Sequence, residues 1–215
     1  MILTPPYNSN VLRRYTNLSS LIYLLSKRKI TFLDPEGWDD KNDTHFLSVY
    51  KKRLGAKSVL AICFTQSVET YHHWKVFSGS PDGVCINFNK SELLKRFSGD
   101  GRIIQGVVKY EYIRDLKKRK FITNEELPFL KRWPYRPEKE YRIVFVDVDE
   151  ENKSFDFDID LSSIKSITLS PWIPESIRHS IRSNLKKIRG CEKVKIFKST
   201  LIQNGEWQQC AEEIG

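Results

Sequence analysis

The segment Trp133-Pro134-Tyr135-Arg136-Pro137-Glu138-Lys139-Glu140-Tyr141-Arg142 carries a dense set of side chains capable of chemistry. Two carboxylates two residues apart at the start of a strand point to one face. Alternation therefore groups Glu138, Glu140 and Arg142 if the strand begins early, and turns Lys139 and Tyr141 the other way. An arginine beside a glutamate fixes its position and keeps it ionised. Such a carboxylate can polarise a ribose hydroxyl or stabilise a cationic sugar transition state. The same spacing also fits a surface salt-bridge ladder on an edge strand, and spacing alone leaves both readings open.

Three further clusters hold candidate binding groups. Arg13-Arg14-Tyr15-Thr16 precedes the first helix. The planar fork of Arg14 suits phosphate oxygens, and the helix start beside it offers free N–H groups. Phe64-Thr65-Gln66-Ser67 ends an apolar run, where Thr65 and Ser67 can line a cleft or simply form a turn. Tyr71-His72-His73-Trp74, with Gly79, Asp82 and Gly83 after it, can stack on a planar ring. Adjacent histidines on a helix face different sides, so they make no metal-binding face. No GxSxG elbow is present for a serine nucleophile, and no cluster has the short ligand spacing of a zinc site.

These groups need elements to position them. Leu18, Leu21, Ile22 and Leu25 predict a helix over Thr16–Lys29, capped by Thr16 or Asn17. A short strand over Ile30–Leu33 ends at the turn Asp34-Pro35-Glu36-Gly37. Asp39–Asp43 reads as an acidic loop before a helix to about Arg53. Ser58–Phe64, Gly83–Phe88, Ile103–Tyr112, Glu140–Val148 and Lys165–Leu169 read as strands, with Lys193–Phe197 as the last. Asn89 and Glu92 form a capping pair for the helix between two of them. Ser154–Ile159 alternates Phe with Asp and reads as the hairpin partner of Glu140–Val148. Pro174–Arg189 is an amphipathic helix with the stripe Ile177, Ile181, Leu185 and Ile188, stopped by Gly190. Strands that follow one another without a helix predict α+β with a mostly antiparallel sheet. The chain of 215 residues is expected to form one domain.

Composition narrows the function classes. No stretch approaches the ~20 apolar residues of a membrane helix. The segment Met1–Pro6 lacks the basic and apolar regions of a signal peptide, so a cytoplasmic location is expected. The cysteines Cys63, Cys85, Cys191 and Cys210 form no CxxC pair and read as buried free thiols. The net charge is +9, with basic groups over Arg114–Lys120, Lys131–Arg142 and Arg178–Lys198. That balance suits a polyanion, either nucleic acid or a phosphate-bearing ligand, or else a solvated basic surface. Two non-glycosyl readings stand beside the sugar chemistry. One is a nucleic-acid-binding module in which Arg136, Lys139 and Arg142 contact phosphates. The other is a metal-dependent nuclease using Asp34, Asp39, Asp43 and Glu138 or Glu140.

The order of motifs carries a resemblance. Arg14-Tyr15-Thr16 is followed by Ile30-Thr31-Phe32-Leu33-Asp34-Pro35, Trp38-Asp39-Asp40, Cys63-Phe64-Thr65, Trp74, Gly83-Val84-Cys85-Ile86-Asn87-Phe88, Val108-Lys109-Tyr110 and Trp133–Arg142. From about Leu12 to Ile202 this resembles the bacterial family known as domain of unknown function 2971. It departs from that family in lacking Asn-Asp-Pro-Phe-Glu after the first strand, and in reading Lys75-Val76-Phe77 after Trp74. The layout also resembles ADP-ribosyltransferase-like proteins, including toxins that modify nucleic acid. That second resemblance implies that Arg14 holds NAD, that Thr65 or Ser67 lies on the hydroxyl-bearing strand, and that Tyr15 or Trp74 stacks on a ring. It further implies that Glu140 acts in catalysis, with Glu138 as accessory carboxylate and Arg142 orienting both. An ADP-ribosyltransferase or NAD glycohydrolase in a bacterial toxin or anti-phage role is the function it implies.

Overall fold

The computed structural model describes residues 10–214. Met1–Pro6 therefore lies outside the described residues. The strands are β1 (Val11–Asn17), β2 (Lys29–Leu33), β3 (Ser58–Thr65), β4 (Gly83–Asn89), β5 (Ile103–Val107), β6 (Lys109–Glu111), β7 (Leu130–Arg132), β8 (Glu140–Asp147), β9 (Ser154–Asp158), β10 (Ile164–Leu169) and β11 (Ile196–Lys198). The helices are α1 (Leu18–Lys27), α2 (Lys41–Leu54), α3 (Tyr71–Phe77), α4 (Lys90–Phe97), α5 (Ile113–Leu116), α6 (Glu175–Lys186) and α7 (Gly205–Glu213).

β3 and β8 form the centre. They pair antiparallel along their whole length, from Ser58↔Asp147 to Thr65↔Glu140. Both strands are buried on nearly every residue because both faces are covered. Leu60, Ile62 and Phe64, with Tyr141, Ile143 and Phe145, join the larger core that also takes in Leu21, Leu24, Leu25, Leu93 and Leu185. Val59, Ala61 and Val144 face the other way, against Leu47 and Tyr50 of α2. Period-2 alternation then places Cys63, Thr65, Glu140 and Arg142 on the α2 side.

The sheet runs β11-β10-β4-β1-β3-β2-β9, with β8 beside β3 and β5 beside β8. All of its pairs are antiparallel except β10 with β11. The molecule is therefore α+β with a mostly antiparallel sheet, as the order of elements indicated. A second ladder pairs β6 with β7 in parallel. Ser154–Asp158 is not the hairpin partner of β8: it pairs with β2, from Lys29↔Asp158 to Leu33↔Ser154. Its Phe155 and Phe157 gain contact there with Phe32 and Phe97, which a hairpin on β8 would not supply.

One irregularity of pairing shapes the site. β1 meets β3 only at Arg13↔Thr65, and β2 meets it only at Leu33↔Ala61. Between those two points the edge of β3 at residues 62–64 has no strand partner among the described residues. The split between β1 and β2, which α1 connects, leaves a hollow over that edge.

Local signals account for most boundaries. Asn17 Oδ1 accepts the Ser20 N–H at 2.8 Å and starts α1. Arg28 ends it in the left-handed region at φ 56°. Asp40 caps α2, and Gly55 at φ 63° closes it. Asp43 is therefore a buried residue in the first turn of a helix rather than part of a solvated acidic loop. The stretch Ile103–Tyr112 is two strands, not one, because β5 belongs to the main sheet and β6 to the small ladder. α6 ends at Lys186, short of Arg189; in it Leu185 is buried and Ile181 packs on the core, as does Ile188 beyond its end, but Ile177 is half exposed.

Candidate active site

β8 begins at Glu140, not earlier. Residues Trp133–Glu138 form a 3-10 stretch, and Lys139 adopts a left-handed conformation at φ 44°. Glu138 thus reaches the site by a turn rather than by strand alternation. The turn is pinned by the Gln66 N–H, which donates to the Lys139 carbonyl at 2.9 Å. It is also pinned by the Thr65 hydroxyl, which donates to the Glu138 carbonyl at 2.5 Å.

Arg142 organises the charges from below. It is fully buried. Its Nη1 and Nη2 donate to Asp43 Oδ1 and Oδ2 at 2.8 and 2.6 Å, and its Nε donates to Glu140 Oε1 at 2.7 Å. Nη1 also donates to the Pro128 carbonyl at 2.9 Å. The fork geometry of arginine permits this set, which lysine cannot match. β5 runs past Arg142 with Gly106 opposite it, where a Cβ would come within 3.3 Å of the Phe129 ring.

Lys131 closes the network from β7. Its Nζ lies 2.7 Å from Glu138 Oε2, 3.1 Å from Glu140 Oε2 and 3.5 Å from Asp43 Oδ2. Tyr110, on the adjacent strand β6, accepts the Glu140 N–H through its hydroxyl at 2.8 Å. Burial works against the charge on Glu140, but Arg142 and Lys131 outweigh it and hold the carboxyl down at about 2. For Glu138 burial wins over Lys131, and its carboxyl sits above the usual range. The two carboxylates are thus driven apart in acidity by environment.

The hollow above this network is a cavity of about 490 Å³, within the range of small-molecule sites. Glu138, Glu140 and Lys131 line it from one side, Arg14 and Tyr15 from β1, and Thr65 from β3. Trp38, Phe77 and Tyr135 add rings to its wall. Arg14 is half-buried, and among the described residues no acidic side chain pairs with it. Burial disfavours its charge. It also borders a second hollow of about 450 Å³, where Ser19, Ser20, Tyr23 and Thr31 present hydroxyls.

The structure therefore brings together Arg14, Tyr15, Thr65, Glu138 and Glu140, with Arg142 directly beneath. Ser67 and Trp74 do not reach the cavity. The Ser67 N–H donates to Thr65 Oγ1 at 3.0 Å, and its carbonyl accepts from Arg13 Nη1 at 2.7 Å. Trp74 is wholly buried, donates to Glu69 Oε1 at 2.5 Å and meets Tyr15 edge-on at 5.0 Å. Both brace the wall behind the site. His73 is a buried part of that bracing. It stacks on Tyr15 at 5.6 Å and on Phe77 at 5.8 Å, and burial lowers its pKa to about 4.

Asp43, Lys131, Tyr110 and Trp38 also belong to the site, although the sequence offers Asp43 only as a metal donor and Trp38 and Tyr110 only as parts of the motif series. Asp43 looked like a loop residue and Lys131 like part of a basic surface run. Lys131 and Arg142 are instead interior cations. Of the carboxylates that a metal-dependent nuclease would use, Asp43 has both oxygens on Arg142 and Asp34 is paired with Lys153 at 2.9 Å. Among the described residues no group of three acidic, histidine or cysteine side chains is disposed to hold a metal. The cysteines are free, and Cys210 is exposed rather than buried. No helix of the described residues is long and apolar enough to cross a membrane.

No protein-family model matches the chain, so the resemblance to domain of unknown function 2971 gains no support there. No curated protein matches its sequence. Among solved structures it is similar to Thermus sp. 2.9 DarT in complex with NAD+, at 11% identity and a TM-score of 0.46, over 91% of this chain and 98% of that one. The same DarT in complex with ADP-ribosylated ssDNA aligns at 11% identity and a TM-score of 0.46, over 88% and 94% of the two chains. The complex with carba-NAD+ aligns at 8% identity and 0.44, over 89% and 96%. These are weak likenesses of fold, and function has to be argued from the site.

Proposed function

We propose that this protein consumes NAD, transferring ADP-ribose to an acceptor or to water. The observation that carries this reading is the pairing of opposites in one cavity. Arg14 is a half-buried cation with no acidic partner among the described residues, and Glu140 is a buried carboxylate held ionised. An unpartnered cation inside a protein is costly, and a bound pyrophosphate relieves that cost. An ionised carboxylate fixed beside the same cavity suits a sugar that gains positive charge.

When bound, NAD supplies a glycosidic bond that breaks at ribose C1′, with nicotinamide leaving on the bonding electron pair. Arg14 holds the pyrophosphate. Tyr15, braced by His73 and Trp74, offers a rigid ring edge to the nicotinamide end. Glu140 accepts a ribose hydroxyl and stabilises the developing charge, while Arg142 and Lys131 prevent it from turning away. Glu138, the more basic carboxylate of the two, receives the proton that the acceptor or water loses on bonding to C1′. Thr65 holds Glu138 in place through its carbonyl.

Glu140→Gln keeps the shape and removes the charge. Release of nicotinamide from NAD is expected to fall about 100- to 1000-fold, the usual effect of removing one electrostatic stabiliser. Unchanged release in a variant with the parent's circular dichroism and melting behaviour would remove this reading.

A further inference from the structure

Outside the cavity, four side chains from two segments form a continuous stack. The Tyr112 and Trp133 rings lie face to face at 4.6 Å with 26° between planes. The Arg114 guanidinium covers the Tyr112 ring at 4.9 Å, and the Arg136 guanidinium covers the Trp133 ring at 4.5 Å. The parallel pairing of β6 with β7 brings these segments together, since Glu111 is opposite Arg132 and the stack follows directly from both. The stack is open to solvent: Tyr112 is 41% exposed and the Arg114 side chain 75% exposed. Arg136 forms no ion pair among the described residues, and Arg114 has only its neighbour Asp115, at 3.5 Å.

A purely structural staple would bury the rings and pair the guanidinium groups. Here the planar cations are outermost. Lys117, Lys118, Lys120 and Arg132, close to them in sequence, are exposed. Flat aromatic and guanidinium surfaces in a basic field suit a polymer with alternating planar rings and phosphates. A duplex hides its base faces, so the surface fits a single strand.

The stack also adjoins the active site. A chamber of about 170 Å³ is lined by Glu111, Ile113, Lys131 and Arg132 together with Asp40 and Asp43. It shares Asp40, Asp43 and Lys131 with the main cavity. Tyr112 lies between two of its lining residues in sequence, and Trp133 follows a third.

We infer that the Arg114–Tyr112–Trp133–Arg136 stack binds a single-stranded nucleic acid and directs one of its nucleotides toward the chamber beside Lys131. This names the acceptor of the proposed reaction and rests on that reading for its chemistry. The binding itself needs no NAD.

Fluorescence anisotropy with labelled single-stranded DNA and RNA oligonucleotides and the corresponding duplex tests it on the full chain. Single strands bind more tightly than duplex, and the tighter of the two names the polymer. Tyr112→Leu, which keeps apolar bulk but loses the flat ring, weakens binding about 5- to 100-fold, as loss of one base stack does. Arg114→Ala with Arg136→Ala lowers the slope of log affinity against log salt by about 1.4, at roughly 0.7 per phosphate contact. Lys186→Ala, on the basic helix α6, leaves affinity unchanged. Melting curves establish that each variant is folded; should Tyr112→Leu fail that check, the arginine pair decides. Parent affinity in Tyr112→Leu and an unchanged salt slope in the arginine pair, preference for duplex, or no binding of any oligonucleotide would overturn the inference. A silent Glu140→Gln alongside binding that is sensitive to Tyr112 removes the enzymatic reading and leaves the strand site standing; the reverse pattern removes the strand site alone.

Discussion

Arg14 and Glu140 open onto one cavity in opposite electrostatic states. Both Glu140 oxygens are held by cations, Oε1 by Arg142 at 2.7 Å and Oε2 by Lys131 at 3.1 Å. Arg14 has no acidic partner among the described residues, although Glu138 and Glu140 line the same space. The local charges are thus satisfied on the carboxylate side and left open on the arginine side. The proposed binding of a pyrophosphate at Arg14 rests on that asymmetry.

Arg14→Met should separate stability from function. Removing an unpartnered cation from a half-buried position relieves desolvation, so stability is expected to stay level or rise by about 1 kcal/mol. The KM for NAD should rise tenfold or more. Thermal melts and steady-state kinetics check both, and a clear drop in stability would mean that Arg14 has a structural partner instead.

Arg142→Met should have the contrary effect. It leaves the buried Asp43 and Glu140 with Lys131 as their one remaining cation among the described residues, and breaking such a network costs about 3–5 kcal/mol. Asp43→Asn is expected to cost less, because Arg142 keeps Glu140 and the Pro128 carbonyl. Denaturant unfolding measures both, and equal costs would count against this division.

Acid should act on Glu140 in a defined window. Its folded carboxyl, at about 2, lies below the ordinary 4.5. A depressed acid contributes stability that is complete above the unfolded value and is lost as pH falls through the folded one. The stability gap between parent and Glu140→Gln should therefore narrow from pH 4.5 down to 2. Glu138 has the contrary sign, since its raised carboxyl adds stability only toward low pH and loses it as pH rises. A parent-to-Glu138→Gln gap that widens with rising pH would contradict that assignment.

His73 acts in a higher window. Its imidazole is lowered from 6.5 to about 4 by burial. A buried neutral histidine contributes stability above the unfolded value that fades as pH falls toward the folded one. Between pH 6.5 and 4 the parent should lose on the order of 2 kcal/mol from this group. His73→Phe should remove that slope while keeping the stack on Tyr15 and Phe77. An NMR titration of the ring gives the value directly, and an ordinary imidazole titration near 6.5 would sink the prediction.

The central strands were legible because β3 and β8 are apolar runs with clear turn signals at their ends, and the helices because of their caps and stripes. The shared face of Glu140 and Arg142 also followed from strand alternation, a local property that any strand obeys. Asp43, Lys131 and Tyr110 were hidden, since nothing local marks a charged or hydroxyl group as interior. Asp43 reaches Arg142 across 99 positions, and only the packing of α2 over β8 decides that contact. Likewise the pairing of β9 with β2, and the split of β1 from β2 over the edge of β3, are long-range choices among strands of similar pattern. The sequence by itself determined most of the elements, though not β1, β7 or α7, together with the mostly antiparallel class and which side chains share a strand face, because these depend on residues a few positions apart. Tertiary structure decided which charges are interior, which cation stays unpaired and where the cavity opens, because burial and pairing belong to neighbours that the chain brings together only on folding.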